Sequence, residues 1–449
     1  MAAPPTHFLN LARRTPNAGP CPPFDVSTVA ASDYDIDVRT GFMPPAEPLQ
    51  RLPKEFEVWE CMLDRVLGVI KLVQDVDFTD EDKAFTKAWR AAVRAMPCVS
   101  PEPLFHDERQ LRRAHLVLAY TLHSYVHSVH HEAPSPIRVP PSVSIPLLKV
   151  SKELGVPPVL TYPDTVLWNW SKVDPSLPYS PSNIRTTTSF TGTQDENHFY
   201  MTSARIELRG VEALALMRST LDETFLSDGI AIQRITKYLA RLASVIDDIT
   251  RLLMATRDGC DPSTFYERIR PWFNGGNAHR SGWVFEGVAE EESKPYSSLS
   301  GPSAGQSSLV HALDIFLGVE HQNSRTPSAS NSSDSTFLQR QKQYMPRHHR
   351  AFLSYLGTIE RPVRSLVQAN LDNEDLCQAY DLALKALARF RDGHIRIATL
   401  YIVSQARKSS GRVREGFLRG SGGTMLVPFL KSSRDDTRDT LIHPETRNP

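Results

Sequence analysis

From about Asp375 to Ser404 the chain carries Leu376, Tyr380, Leu384 and Leu387 on one apolar stripe that continues through His394, Ala398 and Tyr401. Spacing near 3.6 residues prescribes a long amphipathic helix, which is stable only with its stripe laid against other helices. Comparable periodicity recurs at roughly 198–219, 228–257, 262–273, 306–318, 336–345, 347–356 and 361–369. Nearer the start, Phe56, Trp59, Met62, Leu63, Val66, Leu67 and Ile70 mark a helix from Glu55 to about Leu72. Further helices are predicted near 80–95, at Glu108–Val129 and near Ile145–Leu154, and Pro163-Asp164 reads as the cap of a helix through Asn169. Strand-type alternation is scarce and no repeat is visible. The predicted fold class is therefore all-α: a large helical bundle preceded by a smaller, mostly helical N-terminal domain.

The polar stretch Ser180–Asn197 reads as the linker, dividing 1–189 from 190–449. Residues 1–50 are proline-rich and read as an arm over the surface, and Pro134, Pro136, Pro140, Pro141, Pro146, Pro157 and Pro158 punctuate a long connection. Low-complexity residues 322–336 are expected to form a mobile loop, and the polar residues 431–449 a frayed tail.

Lys plus Arg and Asp plus Glu each number 51, and the cations are dispersed, which argues against a nucleic-acid partner. Cys21, Cys61, Cys98, Cys260 and Cys377 are odd in number and form no CxxC pair, so neither a zinc ribbon nor a disulfide framework is indicated. The start, MAAPPTHFLNLARR, lacks a signal-peptide apolar region, and no run approaches membrane-span length. A cytoplasmic monomer with no membrane partner is expected.

Several constellations bear on chemistry. Gly301-Pro302-Ser303-Ala304-Gly305 matches the G-x-S-x-G elbow of serine hydrolases, but the preceding KPYSSLS cannot supply the buried strand that elbow needs. Hydrolysis through Ser303 is thus a remote alternative, while the small residues suit a loop passing close to a ligand. His123, His127 and His131 share one helical face, as metal ligands on a helix do, yet no Glu-x-x-His pair completes a site; histidines along the polar edge of an ordinary amphipathic helix are the plainer reading. His394 sits in an interior stripe. The adjacent Gly393 breaks helical propensity as though a planar group approached the backbone, and Arg391 is placed to reach an anionic group. A core histidine and a haem ligand both remain open on these residues, as does His348-His349, which opens a helix after Pro346. Finally, Tyr266 and Arg270 at i and i+4, beside Phe265, Trp272 and Phe273, suit recognition of a planar amino acid by ring and carboxylate, or simply a helix packed on the core.

Eight segments in one order resemble the indoleamine 2,3-dioxygenase family: LGVPPVLTYPDTVLWNW (154–170), HFYMTSARIE (198–207), DPSTFYERIRPWF (261–273), GWVFEGV (282–288), SAGQSSLVHALDIFLGVEH (303–321), YMPRHHRAFL (344–353), FRDGHIRIATLYI (390–402) and GSGGTMLVPFLK (420–431). The resemblance implies one b-type haem per chain enclosed by the bundle, with His394 as the iron's proximal ligand and Arg391 as the arginine supporting it. Asp314 matches an aspartate near the haem propionates, and Ser303 and Ala304 a loop over the haem. Tyr162, Phe199, Ser203, Phe265, Tyr266, Arg270, Ser303 and Ala304 match the substrate pocket, with Arg270 on the substrate carboxylate. Ser203 or Ser303 is implied as the hydroxyl that hydrogen-bonds the reacting ligand. The implied reaction opens the indole ring of L-tryptophan, or a related indole amine, with dioxygen to give N-formylkynurenine, the first step of the kynurenine pathway, with an unidentified electron donor. The alternative is a haem- or oxygen-binding protein of the same fold with little or no turnover. Departures from the family pattern are Tyr266, Asn274, Gly276 and Pro302, the last of which removes a backbone donor from the loop.

Overall fold

The computed structural model describes residues 33–129, 135–226, 228–279, 281–321, 337–359, 362–410 and 426–443. The expectations for residues 1–32, for His131 and for the 322–336 loop lie outside these. The helices of eight residues or more are α1 (Glu57–Asp64), α2 (Asp80–Ala95), α3 (Glu108–His127), α4 (Pro141–Leu154), α5 (Gln194–Glu223), α6 (Gly229–Met254), α7 (Ser308–Phe316), α8 (Arg347–Gly357), α9 (Glu374–Ala398) and α10 (Leu426–Asp439). Described strands are three residues each: β1 (Ile137–Val139) pairs in parallel with β4 (Trp283–Phe285), and β2 (Trp170–Lys172) antiparallel with β3 (Ile184–Thr186). The all-α expectation holds, and no described helix is long and apolar enough to cross a membrane.

Local chemistry sets the ends of these helices. Thr79 and Asp82 form a reciprocal capping box at the start of α2. Thr193 accepts the Glu196 N–H, so α5 begins at Gln194, ahead of the apolar periodicity that starts near 198. The expected helix through Asn169 is instead one π turn, Pro163–Leu167.

One apolar core joins α1–α4 to the first turns of α5 and to Phe265, Trp272 and Tyr401. A second is built from α5, α6, α7, α8 and α9. Residues 180–197 are not a loose linker. Phe190 is fully buried between Tyr120 and Trp272, with ring centroids 4.5 and 5.2 Å away, and Asn169 accepts the Thr188 N–H at 2.8 Å. The polar residues that suggest a linker are consumed by internal hydrogen bonds: the Glu196 carboxylate accepts the N–H groups of Phe190 and Thr191.

The central pair is α6 with α9. Gly393 lies at their contact, where a Cβ would meet Met254 Sδ at 3.4 Å and Thr250 Cγ2 at 3.5 Å. A Cβ there would make only ordinary van der Waals contacts, so the packing of α6 on α9 does not by itself require a glycine. The expected frayed tail is also corrected: residues 431–439 belong to α10, which packs along α9 and buries Leu430, Ser433 and Thr437.

Candidate active site

Three π turns are present among the described residues: Pro163–Leu167, Phe265–Ile269 and Thr399–Val403. All three border one internal cavity of about 90 Å³, contributing Tyr162, Thr165 and Val166, then Phe265 and Arg270, then Ile402. Such turns widen a helix by one residue and recur where a side chain must be aimed into a pocket. Helix α5 adds Phe199, Tyr200 and Ser203, with Phe199 and Ser203 one turn apart on the same face. Phe273 and the Pro302–Ala304 loop complete the wall. Phe199 packs on Phe265 at 4.7 Å between ring centroids and on Phe273 at 6.1 Å, so this part of the pocket is aromatic.

The structure thus gathers Tyr162, Phe199, Ser203, Phe265, Arg270, Ser303 and Ala304 around one space. Tyr266 is not brought in. The 265–269 turn closes with the Arg270 N–H on the Phe265 carbonyl, five residues apart, which turns Tyr266 off the cavity although it stays beside Arg270. Tyr266 instead lines an outer cleft of about 740 Å³ with Gln74–Asp77, and Arg270 borders both spaces. Burial presses the Arg270 guanidinium below its ordinary pKa, with the Tyr266 phenol opposing it, and the guanidinium carbon stands 5.5 Å from the Tyr266 ring centroid. An anion beside Arg270 would relieve that burial cost.

The segment carrying Arg270 is held from α3. His123 Nδ1 donates to the Trp272 carbonyl at 2.7 Å while its Nε2 accepts the Leu160 N–H at 3.2 Å, and burial holds this imidazole at about 4. His127 Nε2 donates to the Asn274 carbonyl at 2.7 Å. Both are interior struts, not histidines on a polar edge, and no described cluster of His, Cys, Asp and Glu suits a metal ion. His115, also fully buried, bonds Asp164 at 2.7 Å, and Asp164 in turn accepts the Thr161 N–H beside Tyr162.

The loop carrying Pro302–Ala304 is clamped by backbone contact. A Cβ on Gly301 would stand 1.9 Å from the Phe273 carbonyl oxygen, and one on Gly275 would stand 2.2 Å from that of Leu299. The glycine at 301 therefore serves this clamp, not a ligand. Gln306 fastens the same loop, donating to the Gly301 carbonyl at 2.9 Å and accepting the Tyr162 N–H at 2.8 Å. Ser303 is extended, accepts the Gly305 N–H and follows no strand, so the hydrolase elbow is absent.

Glu207, one turn beyond Ser203, is a residue that the sequence reading missed. It is fully buried; its Oε1 accepts the Tyr162 hydroxyl at 2.9 Å and the Ser307 hydroxyl at 2.7 Å, while Oε2 has no hydrogen-bond partner among the described residues. Burial pushes its carboxyl up to about 7, against the lowering pull of the two hydroxyls.

His394 lies on α9, about two turns before Ile402. It makes no hydrogen bond among the described residues. It retains accessible surface although protein surrounds it densely. Burial, helped by the Arg391 charge, holds its imidazole down at about 4, neutral and with a lone pair available. Arg391 is buried against Asp314 at 2.5 Å and also donates to the Thr437 hydroxyl. Burial alone would raise the Asp314 carboxyl, but Arg391, aided by His321 at 2.9 Å, holds it at about 2. Arg391 and Asp314 therefore stand one turn from His394 as a paired charge. His349, by contrast, is packed in the core against Phe42 at 4.9 Å between ring centroids, with Nδ1 at 3.3 Å from the Ser308 hydroxyl.

Sequence comparison reveals the chain's relatives. Residues 30–440 match the family described as Indoleamine 2,3-dioxygenase. The indoleamine 2,3-dioxygenase of Saccharomyces cerevisiae is 32% identical over 92% of this chain and 94% of its own length. That of Aspergillus candidus is 33% identical, covering 93% and 98%. The 6-hydroxytryptophan 2,3-dioxygenase of Fusarium equiseti is 32% identical, covering 91% and 97%.

Proposed function

The chain belongs to the indoleamine 2,3-dioxygenase family of haem b-dependent, dioxygen-using enzymes, and on that premise we propose that it opens the indole ring of L-tryptophan to N-formylkynurenine. One observation carries this choice: a half-buried arginine, Arg270, and the aromatic pair Phe199 and Phe265 share a single small cavity. That arrangement suits an amino acid with a planar apolar side chain, its carboxylate on the guanidinium and its ring among aromatics.

The residues present fit the haem. His394 offers a neutral imidazole with no competing hydrogen bond, as an iron ligand must. Arg391, Asp314 and Thr437 hold α9 against α7 and α10 beside it, fixing where the imidazole points. When bound, the haem supplies the iron centre at which dioxygen is activated for insertion across the indole C2–C3 bond. The protein's own part is orientation and exclusion of water. Arg270 anchors the carboxylate; Phe199 and Phe265 fix the ring plane; Ser203 and Ser303 offer hydroxyls to the reacting ligand; Ala304 keeps the cavity wall thin. Tyr266 acts from the outer cleft, flanking Arg270. A haem protein without turnover would need only His394, and Arg270 would have no role in it.

The test is turnover of reduced, haem-loaded protein across concentrations of L-tryptophan and 6-hydroxytryptophan. The proposal expects formylkynurenine to accumulate with a kcat/KM for L-tryptophan at least equal to that for the hydroxylated substrate. A normal haem absorption band with no product from L-tryptophan refutes it.

A further inference from the structure

Glu207 has no part in the chemistry described so far, yet its carboxyl takes hydrogen bonds from two other segments around the same cavity. Its helix, α5, carries Phe199 and Ser203 into the cavity. Its Oε1 receives hydroxyls from two other elements: Tyr162, which enters the π turn on the opposite wall, and Ser307, which ends the loop over the pocket. Tyr162 and that loop are themselves joined through Gln306. Three separate chain segments that line one cavity therefore meet at a single carboxyl oxygen.

A buried carboxyl in such a place would ordinarily be matched by a cation. Here none is. On its own helix, Arg205 donates to the Pro181 carbonyl and Arg209 to Asp248 and Glu212. From α7 the charged or titratable groups are His311, bonded to the Gly305 carbonyl, and Asp314, paired with Arg391. Only the Tyr162 and Ser307 side chains act on the Glu207 carboxyl. The Tyr162 phenol is itself held far above its ordinary range by burial and by Glu207, so it stays protonated and remains a donor.

We propose that Glu207 is a positioning residue of the distal pocket: its carboxyl fixes Tyr162 and the 303–307 loop against α5, and it does so as the neutral acid. Loss of the proton leaves a buried charge with two neutral donors and an unpartnered oxygen, which the structure relieves by admitting water or loosening the loop. The pocket wall is then ordered at low pH and slackens as the carboxyl ionises. Burial pushes that ionisation to about 7. The functional half of the inference rests on the reading of this cavity as the substrate pocket; the protonation half does not.

The experiment has two arms. The first uses the protein without haem. A carboxylic-acid C=O stretch in the infrared should persist to near neutral pH, vanish in Glu207→Gln, and titrate at higher pH in Tyr162→Phe and Ser307→Ala, because each loses a donor that favours the ion. The folding constant of the wild type, relative to Glu207→Gln, should fall roughly 300-fold as pH rises from 4.5 to beyond 7, since the folded carboxyl holds its proton longer than the unfolded one. A wild-type profile parallel to Glu207→Gln, or a band unmoved in both hydroxyl variants, overturns the protonation claim. The second arm measures tryptophan turnover of loaded protein against pH. Wild-type kcat should decline across the titration, Glu207→Gln should retain activity with that decline removed, and Tyr162→Phe should shift its midpoint upward. A wild-type pH profile unchanged in Glu207→Gln and Tyr162→Phe refutes positioning. Should Glu207→Gln fail to fold, the hydroxyl variants decide the question alone. If the first arm succeeds and no variant turns over tryptophan, it is the substrate reading that fails.

Discussion

Gly301→Ala is the smallest change that should disable the pocket without touching a residue in it. The added Cβ would stand 1.9 Å from the Phe273 carbonyl oxygen, whereas folded proteins essentially never bring a Cβ within 3.0 Å of another heavy atom. One backbone must therefore retreat by about 1 Å. Neither side yields easily. Gly301 is tied through its carbonyl to Gln306, and the Trp272–Asn274 segment is tied to α3 by His123 and His127. Overpacking against backbone costs about 1–3 kcal/mol, and both struts place this site at the upper end. The functional cost is larger, because the displaced segments carry Ser303 on one side and Arg270 and Phe273 on the other. A misplacement of about 1 Å at reacting groups lowers rates by roughly 10²-fold. Urea unfolding without haem, then kcat/KM for tryptophan with haem, measure the two effects. Gly229→Ala is the control, since its Cβ would meet nothing within 4 Å at the start of α6. Wild-type stability and kcat/KM in Gly301→Ala, or equal losses in both variants, would refute the clamp.

Other expectations follow from the same geometry. Asp314→Asn strands the buried Arg391 charge and should cost about 3–5 kcal/mol; because the Asp314 carboxyl sits at about 2, below its ordinary 3.8, about 2 kcal/mol of wild-type stability should persist above pH 4 and disappear as pH falls through 2. Acid unfolding should show that loss in the wild type and not in Asp314→Asn. His394→Ala should abolish the haem absorption band, whereas His349→Ala, which removes a core ring, should lower thermal stability and leave haem loading largely intact; the reverse pattern would move the iron ligand to the other helix. Arg270→Ala should cut kcat/KM for tryptophan roughly 10–100-fold through the loss of one or two charge-assisted hydrogen bonds, Arg270→Lys should not restore it, and an unchanged KM with normal kcat would exclude the carboxylate role.

Helical periodicity and end signals are local, and for that reason they are readable along the chain. The stripe from Leu376 to Tyr401 and the capped run at Asp80–Ala95 appear in the structure nearly as the spacing prescribes. Elements whose stability comes from a partner are not readable this way. Helix α10 buries Leu430, Ser433 and Thr437, a stripe too polar to register as a core face, and its Arg434 and Arg438 find Asp392 only once α9 lies beside it. The π turns carry no sequence mark, so Tyr266 looked like a pocket residue until the 265–269 turn shifted it to the outer cleft.

What the sequence determined by itself is the class of fold, the interior placement of His394 and, through eight ordered segments, most of the side chains gathered at the cavity, Tyr266 excepted. Only the tertiary structure decided what the neighbouring residues are for. Arg391 is neutralised by Asp314, and Glu207 joins three segments as a buried acid. The physical reason is that periodicity reports which side of an element is buried, whereas the charge state and hydrogen-bond partners of a buried group depend on residues far away in the chain.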